Sequence, residues 1–225
     1  MTDTLVDLAS VSRSFGVRGA TISAVANVSC RVKPGDRIAI MGPSGSGKST
    51  VMALMAELDM PTAGTVTWPG FPVGEELRPR HIGIAFQTPS LMPALTALEN
   101  IEVPLLILDE RETARNKALG ALEDFELAHL ADRLPEELSG GQAQRVATVR
   151  AFVTHPRLIL ADEPTGQLDQ ATGSRVIHKL IEQAEKTGAA LIVATHDHAV
   201  ARQMRETWHM HYGKLAINHL LRTAK

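Results

Sequence analysis

Short, mostly apolar runs punctuate this chain, separated by longer segments in which apolar residues recur every third or fourth position. Residues 37–41, 158–161 and 189–195 are runs of the first kind, closed by turn or charged residues, and predict buried strands. Residues 47–58, 109–125 and 170–186 carry the helical spacing, and a further helix is predicted within 135–154 after a loop. Residues 5–15, 23–32, 65–68 and 81–86 predict further strands. Pro34-Gly35-Asp36 is a turn, Asp59-Met60-Pro61 closes a helix, and the Pro- and Gly-rich stretch 69–80 predicts loop. Thr96-Ala97-Leu98-Glu99 has the spacing of a capping box. A hairpin about Gly213 and a short helical tail complete the pattern. Alternating strands and helices predict an α/β fold whose mainly parallel sheet is covered on both faces, and such folds bind ligands at the carboxyl ends of their strands.

One strand end carries a specific signal. Gly42-Pro43-Ser44-Gly45-Ser46-Gly47-Lys48-Ser49 matches G-x-x-x-x-G-K-[ST], with a predicted strand before it and a helix after. Glycines let backbone N–H groups close around phosphate oxygens, and the helix presents its positive end to the same anion. Lys48 is placed to reach the β- and γ-phosphates, Ser49 to bind Mg²⁺, and Thr50 to lie near the α-phosphate. The bland reading is a Gly/Ser turn capping a helix, but the flanking elements favour nucleotide binding.

A second strand end delivers two carboxylates, in Leu158-Ile159-Leu160-Ala161-Asp162-Glu163. Asp162 suits an Mg²⁺ contact, and Glu163 suits a general base or water-orienting group at the γ-phosphate. In isolation the pair reads as an acidic turn; the phosphate loop upstream gives it a role.

Leu138-Ser139-Gly140-Gly141-Gln142 narrows the class. Ser139 and Gln142 form an S-x-x-Q capping box, so a helix begins here, and two glycines leave its N–H groups accessible to an anion. One nucleotide does not need two phosphate cradles in one subunit. A second copy supplying this cap across an interface resolves the redundancy. Between the phosphate loop and the acidic strand, Ser139-Gly140-Gly141-Gln142 resembles the signature motif of the ABC ATPases, and the likeness covers nearly the whole chain. The resemblance implies a P-loop NTPase core with a small antiparallel β subdomain and a helical subdomain, approximately 88–155, within a single ATP-binding domain, 1–225. Gln87 resembles the glutamine that touches Mg²⁺ and senses the membrane partner. Gly166-Gln167-Leu168-Asp169 resembles the loop that crosses the dimer interface. His196 resembles the switch histidine on the γ-phosphate, and Phe15 falls where the family stacks an aromatic on adenine. Lys48, Gln87, Glu163 and His196 are then the catalytic set, with Ser49, Gln87 and Asp162 at Mg²⁺. Two copies, or one copy with a different ATPase, close head to tail around two ATP molecules and pull on integral membrane permease subunits.

Asn100-Ile101-Glu102-Val103-Pro104-Leu105-Leu106, with the sequence around the phosphate loop and around Asp162-Glu163, resembles one subgroup, that of lipoprotein-releasing, macrolide-exporting and cell-division ATP-binding subunits. Three departures stand out. Residues 64–87 are shorter than that subgroup usually has, so a trimmed antiparallel subdomain is expected. Gln167 stands where Asn is common, and Phe15 replaces the usual Tyr. None removes a catalytic group, so a competent ATPase is expected.

Composition adds bounds. The 225 residues suit one large α/β domain, and a formal net charge of −2 carries no global basic field, so no nucleic-acid partner is expected. The single cysteine, Cys30, cannot form an internal disulfide and fits a reducing compartment. No apolar run approaches the roughly 20 residues of a membrane span, and the N-terminus has no signal-peptide pattern. Attachment to the cytoplasmic face of a membrane, through a partner, is therefore expected. His196-Asp197-His198 and His209-Met210-His211 lack a third metal ligand at fitting spacing. Trp208, Met210 and Tyr212, alternating with those histidines, predict the buried face of a strand. The competing class is a soluble ABC ATPase acting on ribosomes or nucleic acid. Its DNA-repair form needs a coiled-coil insertion and its ribosomal form two such domains; this chain has neither.

Overall fold

The computed structural model describes residues 3–17, 20–166 and 168–218. The chain divides into two compact units, one from Met1–Glu75 with Ala190–Lys225, the other Glu76–Ala189.

In the first unit, β1 (Val6–Val17) pairs antiparallel with β2 (Ala20–Val32) on one side and β4 (Ala63–Thr67) on the other. Val6, Leu8, Val11, Val25, Val28 and Val32 are buried, so one apolar face holds the sheet together. The alternation in β1 is loose because the register with β2 shifts between Leu8 and Val11 and again before Arg13. In the same unit, β3 (Arg37–Met41) lies parallel between β7 (Ala190–Thr195) and β8 (Glu206–His211), and β9 (Lys214–Asn218) returns antiparallel to β8. Every residue of β7 is buried, which is why its sequence is a continuous apolar run and not an alternating one. Each fully buried Leu, Ile or Val side chain there contributes about 1.5–3 kcal/mol.

Helix α1 (Lys48–Met55) follows β3, and the Trp68 indole donates to its terminal carbonyl, Met55 O, at 2.8 Å. Past β7, α6 (His198–Ala201) is a single turn capped by Asp197, whose Oδ1 accepts from Ala199 N at 2.7 Å. The sequence pattern does not predict α6, because four residues carry no period. Trp208 and Met210 are buried as predicted, but Tyr212 is 83% exposed. The strand ends at His211, and Tyr212 enters the hairpin turn with φ 48°.

In the second unit, β5 (Ile82–Ala85) pairs parallel with β6 (Leu158–Asp162). Helices α2 (Ala97–Ile107), α3 (Arg111–Asp124) and α4 (Gly140–Phe152) pack on one another, and α5 (Gln170–Thr187) follows β6. The capping box predicted for α2 forms: Thr96 Oγ1 accepts from Glu99 N at 3.2 Å, and Glu99 Oε2 accepts from Thr96 N at 2.8 Å. Gly83 lets α4 rest directly on β5, since a Cβ there would lie 1.9 Å from Ala151 O. Helix α5 stops at Gly188, which takes the left-handed conformation at φ 69°. Residues 69–80 carry neither helix nor strand, as predicted. Gln167 and the predicted helical tail lie outside the described residues.

Candidate functional site

The first unit carries the phosphate loop. Met41, the last residue of β3, is paired with Thr195, the last of β7. Gly42 and His196 therefore leave two adjacent parallel strands at the same level, at their carboxyl ends. Pro43, Ser44, Gly45 and Ser49 are exposed, while Ser46 and Lys48 are buried. Gly47 is the N-cap of α1, at φ 104°, and no side chain caps the helix. A Cβ at Gly47 would meet Ala24 O at 2.2 Å, and one at Gly42 would meet Met210 O at the same distance. Both glycines are thus required by the packing of β2 and β8 against the loop, as well as by any ligand. The Lys48 amino group donates to Gly42 O at 2.8 Å and Pro43 O at 3.2 Å. A buried ammonium inside a ring of backbone groups, beside an uncapped helix end, is a ready anion cradle. Ser46 Oγ is buried without a hydrogen-bond partner among the described residues, a polar atom that suits a phosphate oxygen or an ordered water. Thr50 is half-buried in the first turn of α1. His196 is exposed.

Phe15, near the end of β1, is 38% exposed, and the Arg13 guanidinium covers it at 4.4 Å from the ring centroid.

The second unit carries the carboxylates. Ala85 is paired with Ala161 across β5 and β6, so Gln87 and Glu163 each lie two residues past the same rung. Asp162 is the last residue of β6, and Glu163 takes φ 45°. A non-glycine residue there is strained by about 1–3 kcal/mol. Gln87 is exposed. Three buried or half-buried polar side chains fix the segment around it. Gln144 Nε2 donates to Phe86 O at 3.0 Å. Arg150 donates to Pro89 O and Ser90 O, both at 3.0 Å. Asn100, fully buried, accepts from Met92 N at 2.7 Å and donates to Leu95 O at 2.9 Å and Thr96 O at 3.0 Å. Sequence reasoning missed these three, since nothing local marks them.

The capping box predicted for α4 also forms. Ser139 Oγ accepts from Gln142 N at 3.2 Å, and Gln142 Oε1 accepts from Ser139 N at 2.8 Å. Ser139, Gly140, Gly141 and Gln142 share a shallow pocket of about 450 Å³ with Arg145, Leu168, Asp169 and Thr172. Asp169 caps α5, its Oδ1 accepting from Thr172 N at 3.0 Å, and hydrogen bonds from the Thr172 hydroxyl and then its backbone N–H hold the carboxyl below the usual range. The structure thus brings Asp169 to the signature helix end. The pocket is open to solvent, with Arg145 and Asp169 among the residues that line it.

The chain matches the family described as ABC transporter over residues 25–166. This chain belongs to the ABC transporter family. The lipoprotein-releasing system ATP-binding protein LolD of Legionella pneumophila (strain Lens) is 38% identical over 96% of this chain and 98% of its own length. The macrolide export ATP-binding/permease protein MacB of Sodalis glossinidius is 38% identical over 96% of this chain, which spans 34% of that protein. The dimeric structure of MJ0796, a bacterial ABC transporter cassette, superposes with a TM-score of 0.86 at 38% identity, covering 94% of this chain and 96% of that one. A dimeric post-hydrolysis state of MJ0796, bound to ADP and Pi, superposes with the same TM-score of 0.86. The chain is therefore the ATP-binding and ATP-hydrolysing subunit of an ABC transporter, a cassette that pairs with a second cassette and works with membrane permease subunits. The likeness to LolD and MacB agrees with the subgroup suggested by residues 100–106, and it favours transport over a soluble ribosomal or nucleic-acid ATPase.

Proposed function

We propose that the site residues divide the work of hydrolysis as follows. Lys48 and the backbone of residues 42–50 hold the β- and γ-phosphates of ATP, and Phe15 stacks on adenine. Glu163 orients the attacking water and accepts its proton, while Gln87 and His196 flank the γ-phosphate. Ser139, Gly140, Gly141 and Gln142 of one copy cover the ATP of the other, with Asp169 lining the same interface. Closure around two ATP molecules moves the permease, and hydrolysis reopens the pair. The reading extends to the whole chain as one ATP-binding domain, with 88–155 as its helical subdomain.

Mg²⁺ fits this donor set. The Ser49 hydroxyl, the Gln87 amide oxygen and the Asp162 carboxylate are hard oxygen donors of the kind that ion takes. When bound, it neutralises charge on the phosphate oxygens.

The observation that carries the reading is strand register. Gly42 with His196, and Gln87 with Glu163, leave paired strands in step, so each unit groups residues the mechanism needs together. Among the described residues no helix is long and apolar enough to cross a membrane. The proposed location is peripheral, on the cytoplasmic face, held there by a permease. Its work resembles what the names of LolD and MacB state for those proteins, release of lipoproteins or export of macrolides, more than uptake of a solute.

The test is affinity purification of Glu163→Gln protein, with ATP and Mg²⁺, from detergent-solubilised membranes of its native cell. Turnover is expected to fall about 10²–10⁴-fold while ATP binding persists and an integral membrane protein co-purifies. Undiminished turnover would remove Glu163 from its role, and a stable complex with ribosomes alone would remove the transport reading.

A further inference from the structure

The Phe15 ring is not alone on its strand. One of its faces is covered by the Arg13 guanidinium, 4.4 Å from the centroid. Arg13 Nε in turn lies 2.8 Å from Asp59 Oδ2, and both side chains are about three-quarters buried. Asp59 stands four residues past the end of α1, the helix that the phosphate loop opens. The segment containing Asp59 is laced to β1 twice more: Thr62 N donates to Ser12 O at 2.7 Å, and Ser14 N donates to Thr62 Oγ1 at 3.0 Å. Asp59 also steadies its own turn, Oδ1 accepting from Met60 N at 2.8 Å.

These contacts have a physical consequence for the ring. A cation on one face of an aromatic ring is attracted to its π density and draws that density toward itself. The opposite face becomes less electron-rich, and so a better stacking surface for an electron-rich purine. The ion pair to Asp59 holds the guanidinium over the ring, a task suited to arginine's planar fork and not to a lysine.

We propose that Arg13, tethered by Asp59, is a positioning residue for the adenine of ATP. It braces and polarises Phe15 from behind, and through Asp59 it joins the base-binding strand to the helix that holds the phosphates. This rests on the reading of Phe15 as the adenine-stacking residue.

The experiment is calorimetric titration of the full chain and its variants with two probes, ATP and inorganic triphosphate, which has no base. Arg13→Ala is expected to weaken ATP binding about 2–5-fold, the size of a partly exposed cation–π contact, with triphosphate affinity unchanged. In a Phe15→Leu background, Arg13→Ala is expected to have no further effect on ATP, because the ring it acts through is gone. Asp59→Asn keeps the cation and loosens its tether, and is expected to give a smaller loss in the same direction. If Phe15→Leu binds ATP as the parent does, the adenine reading itself fails. If Phe15→Leu weakens ATP but Arg13→Ala does not, the reading of Phe15 stands and the role of Arg13 falls. Equal losses from Arg13→Ala for both probes, or an undiminished loss in the Phe15→Leu background, also overturn it, since either shows Arg13 acting on the fold and not on the ring.

Discussion

Two helix ends in this molecule are built from opposite principles. Helix α1 begins at Gly47 in a left-handed conformation with no side chain over its N–H groups. Helix α4 begins at Ser139 with a complete capping box. The first leaves its positive end to be satisfied by a ligand, and sets the buried Lys48 ammonium beside it. The second satisfies two of its own donors, the N–H groups of Ser139 and Gln142, and keeps its shape alone, while two glycines hold side chains away from the rest. The difference matches the two tasks proposed for them. The α1 end grips ATP within one copy and can reorganise around it. The α4 end must arrive preformed on the surface of another copy, where ordering a flexible loop would weaken closure.

The sharpest way to break this comparison is to alter each end and read binding and stability separately. Gly47→Ala places a Cβ 2.2 Å from Ala24 O at φ 104°, a conflict the loop can relieve only by moving. ATP affinity of the isolated chain is expected to fall at least about 100-fold, on the order of 3 kcal/mol. Titration checks this, and affinity within a few-fold of the parent would show that the loop geometry is not what holds the phosphates.

Next in size is Asn100→Ala. It leaves Met92 N and Leu95 O, both part-buried, without their side-chain partner and is expected to lower stability by about 1–3 kcal/mol in urea unfolding. The cut should be accompanied by faster proteolysis near residues 87–95, because the same side chain holds that segment. Ser139→Ala is expected to cost only about 1 kcal/mol of stability and to leave ATP affinity of the isolated chain unchanged, while turnover of the assembled transporter falls. If Ser139→Ala weakened ATP binding as much as Gly47→Ala, the two ends would not differ in the way argued here.

An effect that is absent from the pH dependence near neutrality and emerges only in alkali sharpens the contrast between a functional and a structural buried group. Burial, then the charge of Asp7, pushes the Cys30 thiol up to about 12 from its ordinary value of 9.0. The folded state therefore keeps its proton where the unfolded chain loses it. The stability this contributes is complete below about pH 9 and is lost as pH rises toward 12, at no more than about 1.4 kcal/mol per pH unit. Comparing the parent with Cys30→Ala across that range checks it; a difference that stays constant with pH would show that the thiol does not titrate with unfolding. In the folded chain at neutral pH, Cys30 should resist alkylation.

Local chemistry was legible in the sequence wherever a motif and its element coincide. The phosphate loop needs a strand, glycines and a helix within a dozen residues, and the capping boxes at Thr96 and Ser139 need only four. The caps formed at the predicted positions because both partners are set by one turn of helix. Tyr212 shows the limit: its alternation with Trp208 and Met210 is correct as a pattern, but the hairpin turn takes it out of the strand.

By itself the sequence determined which residues carry charge, where the phosphate loop lies, and where α2 and α4 begin at their capping boxes. Only the tertiary structure decided what holds those residues in place. Arg13 meets Asp59 across 46 residues, Gln144 meets Phe86 across 58, and Arg150 meets Pro89 across 61. Such pairs leave no periodic trace, because a hydrogen bond between distant segments depends on how strands and helices pack and not on spacing along the chain.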